Sequence, residues 1–93
     1  MKISGNKVTQ EFLEELLNNS EYQETVFWDK LLIRVYKLPN GHLITGQAYC
    51  VDPANFTLKE GRKIAYEDAI KELRPKVAFL LQDQLYESGK LQC

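Results

Sequence analysis

The sequence lacks the features on which several large classes of protein depend. Only two of its 93 residues are cysteine, one is histidine and one is tryptophan. Lys and Arg number 12 against 13 Asp and Glu, so the net charge of -1 disfavours a general nucleic-acid coat or a polybasic membrane binder. The apolar runs, such as residues 77–81, are far shorter than the roughly 20 residues of a membrane span. We therefore expect one soluble domain that neither crosses nor coats a membrane.

The scarce cysteine and histidine residues also argue against catalysis and metal binding. Cys50 and Cys93 are most simply free thiols of a reducing cytosol, since they make no disulfide framework. His42 stands alone beside a turn, and no nucleophile has a base at a recognisable spacing. Residues 1–7 hold no apolar signal core, so we expect the chain not to be exported. We predict no enzyme activity and no cofactor.

At 44% hydrophobic and 27% charged, the chain has the composition of an ordinary globular domain. We assign residues 1–93 to one domain, with flexible tails at 1–7 and 89–93. Residues 9–19 are predicted to form a helix with Thr9 as its N-cap. Its apolar positions recur at helical spacing: Phe12, Leu13, Leu16 and Leu17. Residues 22–30 are less clear: Tyr22, Val26, Phe27 and Trp28 favour extended structure, and Asp29-Lys30 could form a turn or a bulge.

Residues 31–38 and 42–50 are predicted to form a β-hairpin. Asn40-Gly41 is a preferred pair for a two-residue type I′ turn, because both positions need positive φ. With that loop, Val35 faces Gly46 on the side that should carry the helices. The opposite face would hold Leu32, Tyr36, Leu38, Leu43 and Tyr49. An open apolar patch of this kind often marks a surface for a partner protein or a second copy.

The last third of the chain is predicted to form one long helix that is broken by a proline. Thr57 is a suitable N-cap, and the apolar pattern continues to about Arg74. Pro75 removes a backbone donor, so we expect a kink or a new helix there. Gly61 lies beside the apolar stripe, where a missing side chain would let the helix approach the sheet. The predicted fold class is α+β, with an antiparallel sheet built on the hairpin and both helices packed on one face.

The connection between hairpin and helix is rich in residues that favour turns. Asp52 can accept a hydrogen bond from its own backbone, Pro53 fixes φ, and Asn55 tolerates a left-handed conformation. Phe56 is placed to fill the core. A binding loop is the alternative, but turn chemistry explains every residue type, so we interpret the segment as structural.

Two adjoining segments carry a resemblance to a known family. Residues 50–56 (Cys-Val-Asp-Pro-Ala-Asn-Phe) and 61–65 (Gly-Arg-Lys-Ile-Ala) are similar to a family of small tailed-phage proteins, the gene 49 and gene 66 products of two enterobacterial phages. Residues 38–46, with their Asn-Gly turn, extend the likeness. The resemblance implies a phage or prophage protein made in the cytoplasm of a bacterial host. It carries over no catalytic residue.

A cluster of cations opens the last helix. Lys59, Arg62 and Lys63 oppose the helix dipole, and together with free backbone N–H groups they form a candidate anion site. The alternative is that Glu60 and Glu67 neutralise the cluster, since Arg62 and Lys63 stand at pairing distance from Glu67.

These observations leave two functions open. The first is an accessory protein that binds a host macromolecule, most simply a host protein, through the open sheet face, which could also pair two copies. The second is binding of RNA or an anionic ligand through the basic helix start. The order helix, strands, helix faintly resembles double-stranded RNA-binding domains, although Glu11, Glu14 and Glu15 make the first helix acidic. Salt separates the two, because phosphate binding weakens steeply as salt rises.

Overall fold

Two helices pack on one face of a three-stranded antiparallel sheet in the computed structural model, which describes residues 2–90. The strand order is β1-β2-β3, and the predicted α+β fold class is confirmed. The thiol state of Cys93 and the outermost tail residues lie outside the described part of the chain. The elements are α1 Gln10–Asn18, β1 Glu21–Phe27, β2 Leu31–Lys37, β3 Leu43–Tyr49, a 3-10 turn Pro53–Asn55 and α2 Leu58–Glu87.

Both helices begin at the predicted threonine. The Thr9 Oγ1 atom accepts a hydrogen bond from the Phe12 N–H at 3.1 Å, and Thr57 Oγ1 accepts one from the Glu60 N–H at 3.4 Å. Each threonine is extended and satisfies a backbone donor that the first helical turn leaves free. The predicted starts of α1 and α2 are confirmed.

Helix α2 runs through Pro75 without interruption, so the predicted start of a new helix there is wrong, whereas a kink at Pro75 stays a prediction. Pro75 lies on the exposed side of the helix, between the buried Leu73 and Val77. The carbonyl that loses its helical donor belongs to Lys71, which is itself exposed, so water can replace that donor. Packing of the buried side against the core then holds the helix together.

The β2–β3 hairpin has a three-residue loop rather than the predicted two-residue loop. The Leu38 N–H donates to the His42 carbonyl and the Gly41 N–H donates to the Leu38 carbonyl, both at 2.8 Å. Pro39 supplies the fixed φ of the first corner of a type I turn, and Gly41 takes the left-handed position at φ 89°. Lys37 therefore pairs with Leu43, one position away from the predicted register.

The register shift places three residues of the predicted partner face in the core. Leu32, Tyr36 and Leu38 are 0%, 2% and 5% exposed and face the helices, so their assignment to an open surface is wrong. Leu43 and Tyr49 do lie on the open side, where they are 58% and 64% exposed. A shift of one residue in the register exchanges the two faces of one strand relative to its partner. Here the side chains of β2 lie on the faces opposite to those predicted, whereas the side chains of β3 lie on the predicted faces.

Strand β3 and helix α2 come closest at Gly46. A Cβ at this position would overlap the carbonyl oxygen of Ala65 and lie 2.9 Å from the Cβ of Ala69. At Gly61, by contrast, the nearest atom to an added Cβ would be Leu32 Cδ1 at an ordinary 3.6 Å. The close approach that the sequence suggested for Gly61 belongs to Gly46.

Helix α2 extends well beyond the sheet. Its 30 residues span about 45 Å, whereas each seven-residue strand spans about 24 Å. The radius of gyration is accordingly 15.9 Å, against roughly 12 Å for a compact chain of this length. The C-terminal half of α2 packs on α1 and on Ile3, whose backbone exchanges two hydrogen bonds with the Gln84 amide. Flexibility of residues 1–7 stays a prediction.

The connection from β3 to α2 is a structural turn in most respects. The Asp52 Oδ1 atom accepts a hydrogen bond from the Ala54 N–H at 3.0 Å, and Pro53 begins one turn of 3-10 helix. Phe56 is half-buried against the core around Leu32, as predicted. The prediction of a left-handed Asn55 is wrong, because a 3-10 turn keeps negative φ at this position.

Candidate functional site

The face of the sheet opposite the helices, called the outer face below, is open. Within residues 2–90 no helix or strand packs on it, and its central residues Leu31, Ile33 and Val35 are only half-buried by their neighbours. The predicted Leu43 and Tyr49 flank this apolar centre. The full set is Glu21, Gln23, Thr25, Phe27, Leu31, Ile33, Val35, Lys37, Leu43, Thr45, Gln47 and Tyr49.

Aromatic side chains gather at one end of the outer face. They line a shallow apolar depression of about 420 Å³, called the aromatic corner below. The Lys30 Nζ atom lies 5.6 Å above the centre of the Tyr49 ring, and Trp28 projects beyond the sheet with 86% of its surface exposed. The aromatic corner consists of Phe27, Trp28, Lys30, Leu31, Ile33 and Tyr49.

Trp28 has a backbone conformation that its residue type disfavours. In the β1–β2 turn, Trp28 and Asp29 have φ values of 52° and 51°. The left-handed region costs roughly 1–2 kcal/mol for most residues, and Gly, Asn or Asp usually occupies it. Asp29 fits that pattern and Trp28 does not. Because Trp28 is also the most exposed large apolar residue described, neither burial nor turn geometry explains it.

A charge cluster lies on the opposite, helix-covered face and joins three elements, with Arg34 buried, Glu24 half-buried and Arg62 exposed. The Glu24 carboxylate of β1 accepts from Arg34 of β2 at Oε1, at 3.2 Å from Nε and 2.7 Å from Nη2. Its Oε2 accepts from Arg62 of α2, at 2.9 Å from Nε and 2.7 Å from Nη2. Arg34 also donates to the Tyr36 hydroxyl at 3.1 Å and lies 4.1 Å from the centre of the Tyr22 ring.

The electrostatics of the charge cluster favour the ionised states of Glu24 and Arg34. Hydrogen bonds from Arg62, opposed by burial and assisted by Arg34, lower the pKa of Glu24. Burial acts to lower the pKa of Arg34, but hydrogen bonds with Tyr36 and Glu24 outweigh it and raise that pKa. Glu24 and Arg34 therefore both stay charged through the neutral range. The arrangement of the cluster suits a clamp between β1, β2 and α2 rather than a proton-transfer site.

Of the three residues of the candidate anion site, Arg62 is paired with an acidic residue and the two lysines are not. Arg62 is held by Glu24, 38 residues earlier in the chain, and the predicted pairing of Arg62 with Glu67 is wrong. Lys59 and Lys63 are exposed, and no carboxylate of residues 2–90 lies within ion-pair distance of either. The Arg62–Glu24 contact is missed by sequence reasoning because no helical spacing signals a partner on a distant strand.

Other features of the chain add little chemistry. His42 is exposed at the hairpin loop, and its backbone N–H donates to the Asn40 side chain. The part of the chain that the structure describes holds no group of three or more metal-ligating side chains. In the same residues, no helix combines the length and apolar character that a bilayer span requires. A groove of about 520 Å³ beside α2 exposes Phe79 and Leu80.

Comparison with known proteins identifies the family. The model of the phage protein family described as N4 Gp49/phage Sf6 gene 66 matches residues 8–85. The chain belongs to this family of phage proteins. The resemblance seen in residues 50–56 and 61–65 is thereby confirmed over most of the chain. No curated protein and no solved structure matches it.

The family match covers every element of the fold except the last residues of α2. It therefore includes the outer face, the aromatic corner and the charge cluster. Family membership supports a phage accessory protein. Its biochemical activity has to be inferred from the surfaces described above.

Proposed function

We propose that this phage accessory protein is an interaction module, not an enzyme, and that its outer face binds a host protein in the host cytoplasm. The observation that carries the proposal is Trp28, an exposed aromatic residue held in a disfavoured backbone conformation. Strained residues that the fold does not need are concentrated at functional sites. Trp and Tyr are also the residue types most enriched among the dominant contacts of protein interfaces.

The chemistry of the outer face indicates the kind of partner. The outer face has an uncharged centre about one strand wide, formed by Leu31, Ile33 and Val35. Tyr49 and Trp28 lie at one end of this centre. A complementary partner presents an apolar ridge with polar groups around it. Since few charges take part, binding should survive salt concentrations that screen surface ion pairs.

The test is capture of host proteins by the tagged full-length chain, followed by an affinity measurement with the captured protein. We expect a stoichiometric partner that is retained after nuclease treatment and at high salt. Trp28→Asn suits a left-handed turn, so it removes the aromatic contact without disturbing the fold. We expect it to weaken binding by about 30-fold, the loss typical of a dominant interface residue.

Phe79→Asn is the matched control, because Phe79 is also a largely exposed aromatic residue but belongs to α2 and not to the outer face. It should leave the affinity unchanged, whereas Tyr49→Ser should weaken it. Equal affinities for the wild type, Trp28→Asn and Tyr49→Ser would refute the proposal. Loss of the captured protein after nuclease treatment would refute it as well and would favour nucleic acid.

Binding of RNA or an anionic ligand through the start of α2 is the second candidate. It is supported by Lys59 and Lys63, which lie one turn apart, exposed and without an acidic partner in residues 2–90. Against it, Glu24 already occupies Arg62. Lys59→Glu with Lys63→Glu leaves the charge cluster intact and should abolish a salt-sensitive interaction with RNA. An unchanged RNA affinity in that variant would exclude the site.

A further inference from the structure

The two edges of the sheet are treated differently by the rest of the fold. At the β3 edge, the Gln47 N–H donates to the Asp68 Oδ2 atom of α2 at 3.0 Å, and α2 lies against the same strand at Gly46. The β1 edge has no such cover within residues 2–90. One edge is thus capped while the other is open to another strand.

The hydrogen-bond alternation of the sheet shows which groups of β1 are free. The Leu38 N–H donates to His42 and the Cys50 N–H donates to Lys30, so even-numbered β2 positions bond to β3. Alternation in antiparallel strands then directs the odd-numbered positions of β2 toward β1. Because Val35 pairs with Gln23, the odd positions of β1 bond inward. The even positions direct their N–H and C=O groups to the open edge: Tyr22, Glu24 and Val26.

Strand β1 has few of the features that normally block an open edge. Natural edge strands carry proline, lysine, an inward-pointing charge or a bulge, or they are very short. Of these features β1 has only the inward-facing Glu24, whose charge Arg34 and Arg62 already pair. Residues 21–27 contain no proline, lysine or glycine, and they pair one-to-one with β2 over all seven positions. The strand is therefore long and regular enough to accept a partner strand.

We propose that β1 pairs antiparallel with β1 of a second copy of this chain about a twofold axis at Glu24. Tyr22 then pairs with Val26 of the second copy, Glu24 pairs with its own counterpart, and Val26 pairs with the second Tyr22. Each pair exchanges two backbone hydrogen bonds, because these three residues are the ones that point outward. The result is a continuous six-stranded sheet.

Side chains on the helix-covered face suit this register. Tyr22 is 53% exposed and Val26 is half-buried, and in this register each tyrosine ring would lie over the valine of the other copy. Opposed Glu24 side chains would normally repel. Here each carboxylate already accepts hydrogen bonds from Arg34 and Arg62, so the axis brings two carboxylates together among four guanidinium groups.

Side chains on the outer face suit the register as well. Gln23 would lie opposite Thr25 of the second copy, and Glu21 opposite Phe27, so no like charges meet. Pairing would also place two outer faces side by side as one broader apolar surface. The inference nevertheless stands apart from host binding, since it concerns the edge of the sheet rather than its face.

The test is sedimentation equilibrium over a concentration series, with charges placed at the Gln23–Thr25 contact. Gln23→Lys with Thr25→Lys puts two lysine pairs across the axis, whereas Gln23→Glu with Thr25→Lys puts two opposite-charge pairs there. Both variants change only exposed side chains of the outer face. We expect a wild-type dimer, a dissociation constant raised about tenfold or more by the first variant, and a dimer kept by the second.

A rescue experiment makes the register specific. Gln23→Glu with Thr25→Glu should also weaken self-association, and mixing it with the double-lysine variant should restore a dimer. Thermal unfolding of each variant alone checks that the fold is retained. A wild-type chain that stays monomeric at its highest soluble concentration would overturn the proposal. Equal dissociation constants for the double-lysine and glutamate–lysine variants would overturn it too.

Discussion

The same three strands form both faces of the sheet, but the two faces differ in how their side chains are satisfied. On the helix-covered face, no buried side-chain nitrogen or oxygen of residues 2–90 lacks a hydrogen-bond partner, and Gly46 gives up its side chain so that α2 can approach. On the outer face, apolar side chains meet solvent and Trp28 holds a disfavoured conformation. The covered face stabilises the monomer, and we propose that the outer face serves an interaction with another molecule.

The largest effect is expected at the close approach of β3 and α2. Gly46→Ala places a methyl group where the Ala65 carbonyl oxygen lies, and backbone atoms cannot move aside as a flexible side chain does. The strand and helix must separate, which uncovers the core between them. We expect the free energy of unfolding to fall by about 3 kcal/mol or more in a urea titration.

Gly61→Ala is the matched control, because its added methyl group would lie 3.6 Å from Leu32 at an ordinary contact distance. Gly61 is inside α2, where alanine is the better helix former. It should therefore stabilise the protein by about 0.5–1 kcal/mol. Equal losses of stability in the two variants would show that Gly46 is not the point of close approach.

The next effect is expected at the charge cluster. Glu24→Gln keeps the shape of the side chain but leaves Arg34, 8% exposed, without its anionic partner. We expect a loss of about 2 kcal/mol in the free energy of unfolding. Glu67→Gln, which removes an exposed carboxylate, should change it by less than about 0.5 kcal/mol. A larger loss from Glu67→Gln than from Glu24→Gln would contradict the assigned partner of Arg62.

The charge cluster also predicts a dependence of stability on pH. The pKa of Glu24 is lowered in the folded state from its ordinary value of 4.5. The stability it contributes is therefore fully present above that value and is lost as pH falls through the lower, folded pKa. Urea titrations from neutral pH downward should show the wild type losing its advantage over Glu24→Gln below about 4.5. A constant difference between the two would contradict this linkage.

The fold class was predictable from local signals, and the register was not. Thr9 and Thr57 each accept a hydrogen bond from the backbone N–H three residues later. Because this contact is local, the sequence alone revealed both helix starts. Strand β2, however, is apolar on both faces, with Leu31 and Ile33 on one side and Leu32 and Tyr36 on the other. Alternation therefore cannot tell which set turns inward. Only the loop decides which set of β2 side chains turns inward, because Pro39 favours the three-residue loop over the two-residue turn.

The candidate site was predictable only in part, for related reasons. Leu43 and Tyr49 were assigned to the correct face because Ile44, Gly46 and Ala48 make the opposite side of β3 wholly apolar, as expected of the side that the helices cover. The pairing of Arg62 with Glu24 depends on a contact between α2 and β1, which no spacing along the chain announces. Trp28 could be recognised as unusual only once its backbone conformation was known. Its neighbour Asp29 gave the only local sign of a left-handed turn.

The smallest predicted effect concerns Trp28, whose replacement should raise the stability of the monomer while it weakens binding of the host protein. Trp28→Asn replaces an 86% exposed ring, which loses little burial, and puts a residue suited to positive φ into the turn. The monomer should become more stable by about 1 kcal/mol in the same urea titration, because the left-handed penalty is relieved. Asp29→Asn should change stability by only a few tenths, since aspartate already tolerates that conformation.

A gain in stability at Trp28, together with the expected loss of host-protein binding, would show that the tryptophan is kept for an interaction and not for the fold. Most substitutions that remove an aromatic side chain destabilise a protein, so the sign alone is informative. A destabilised Trp28→Asn variant would mean that the ring supports the β1–β2 turn through its contact with Phe27, whose ring centre lies 6.4 Å away. The aromatic corner would then contribute to the stability of the monomer. The proposed contrast between the two faces would not extend to the β1–β2 turn.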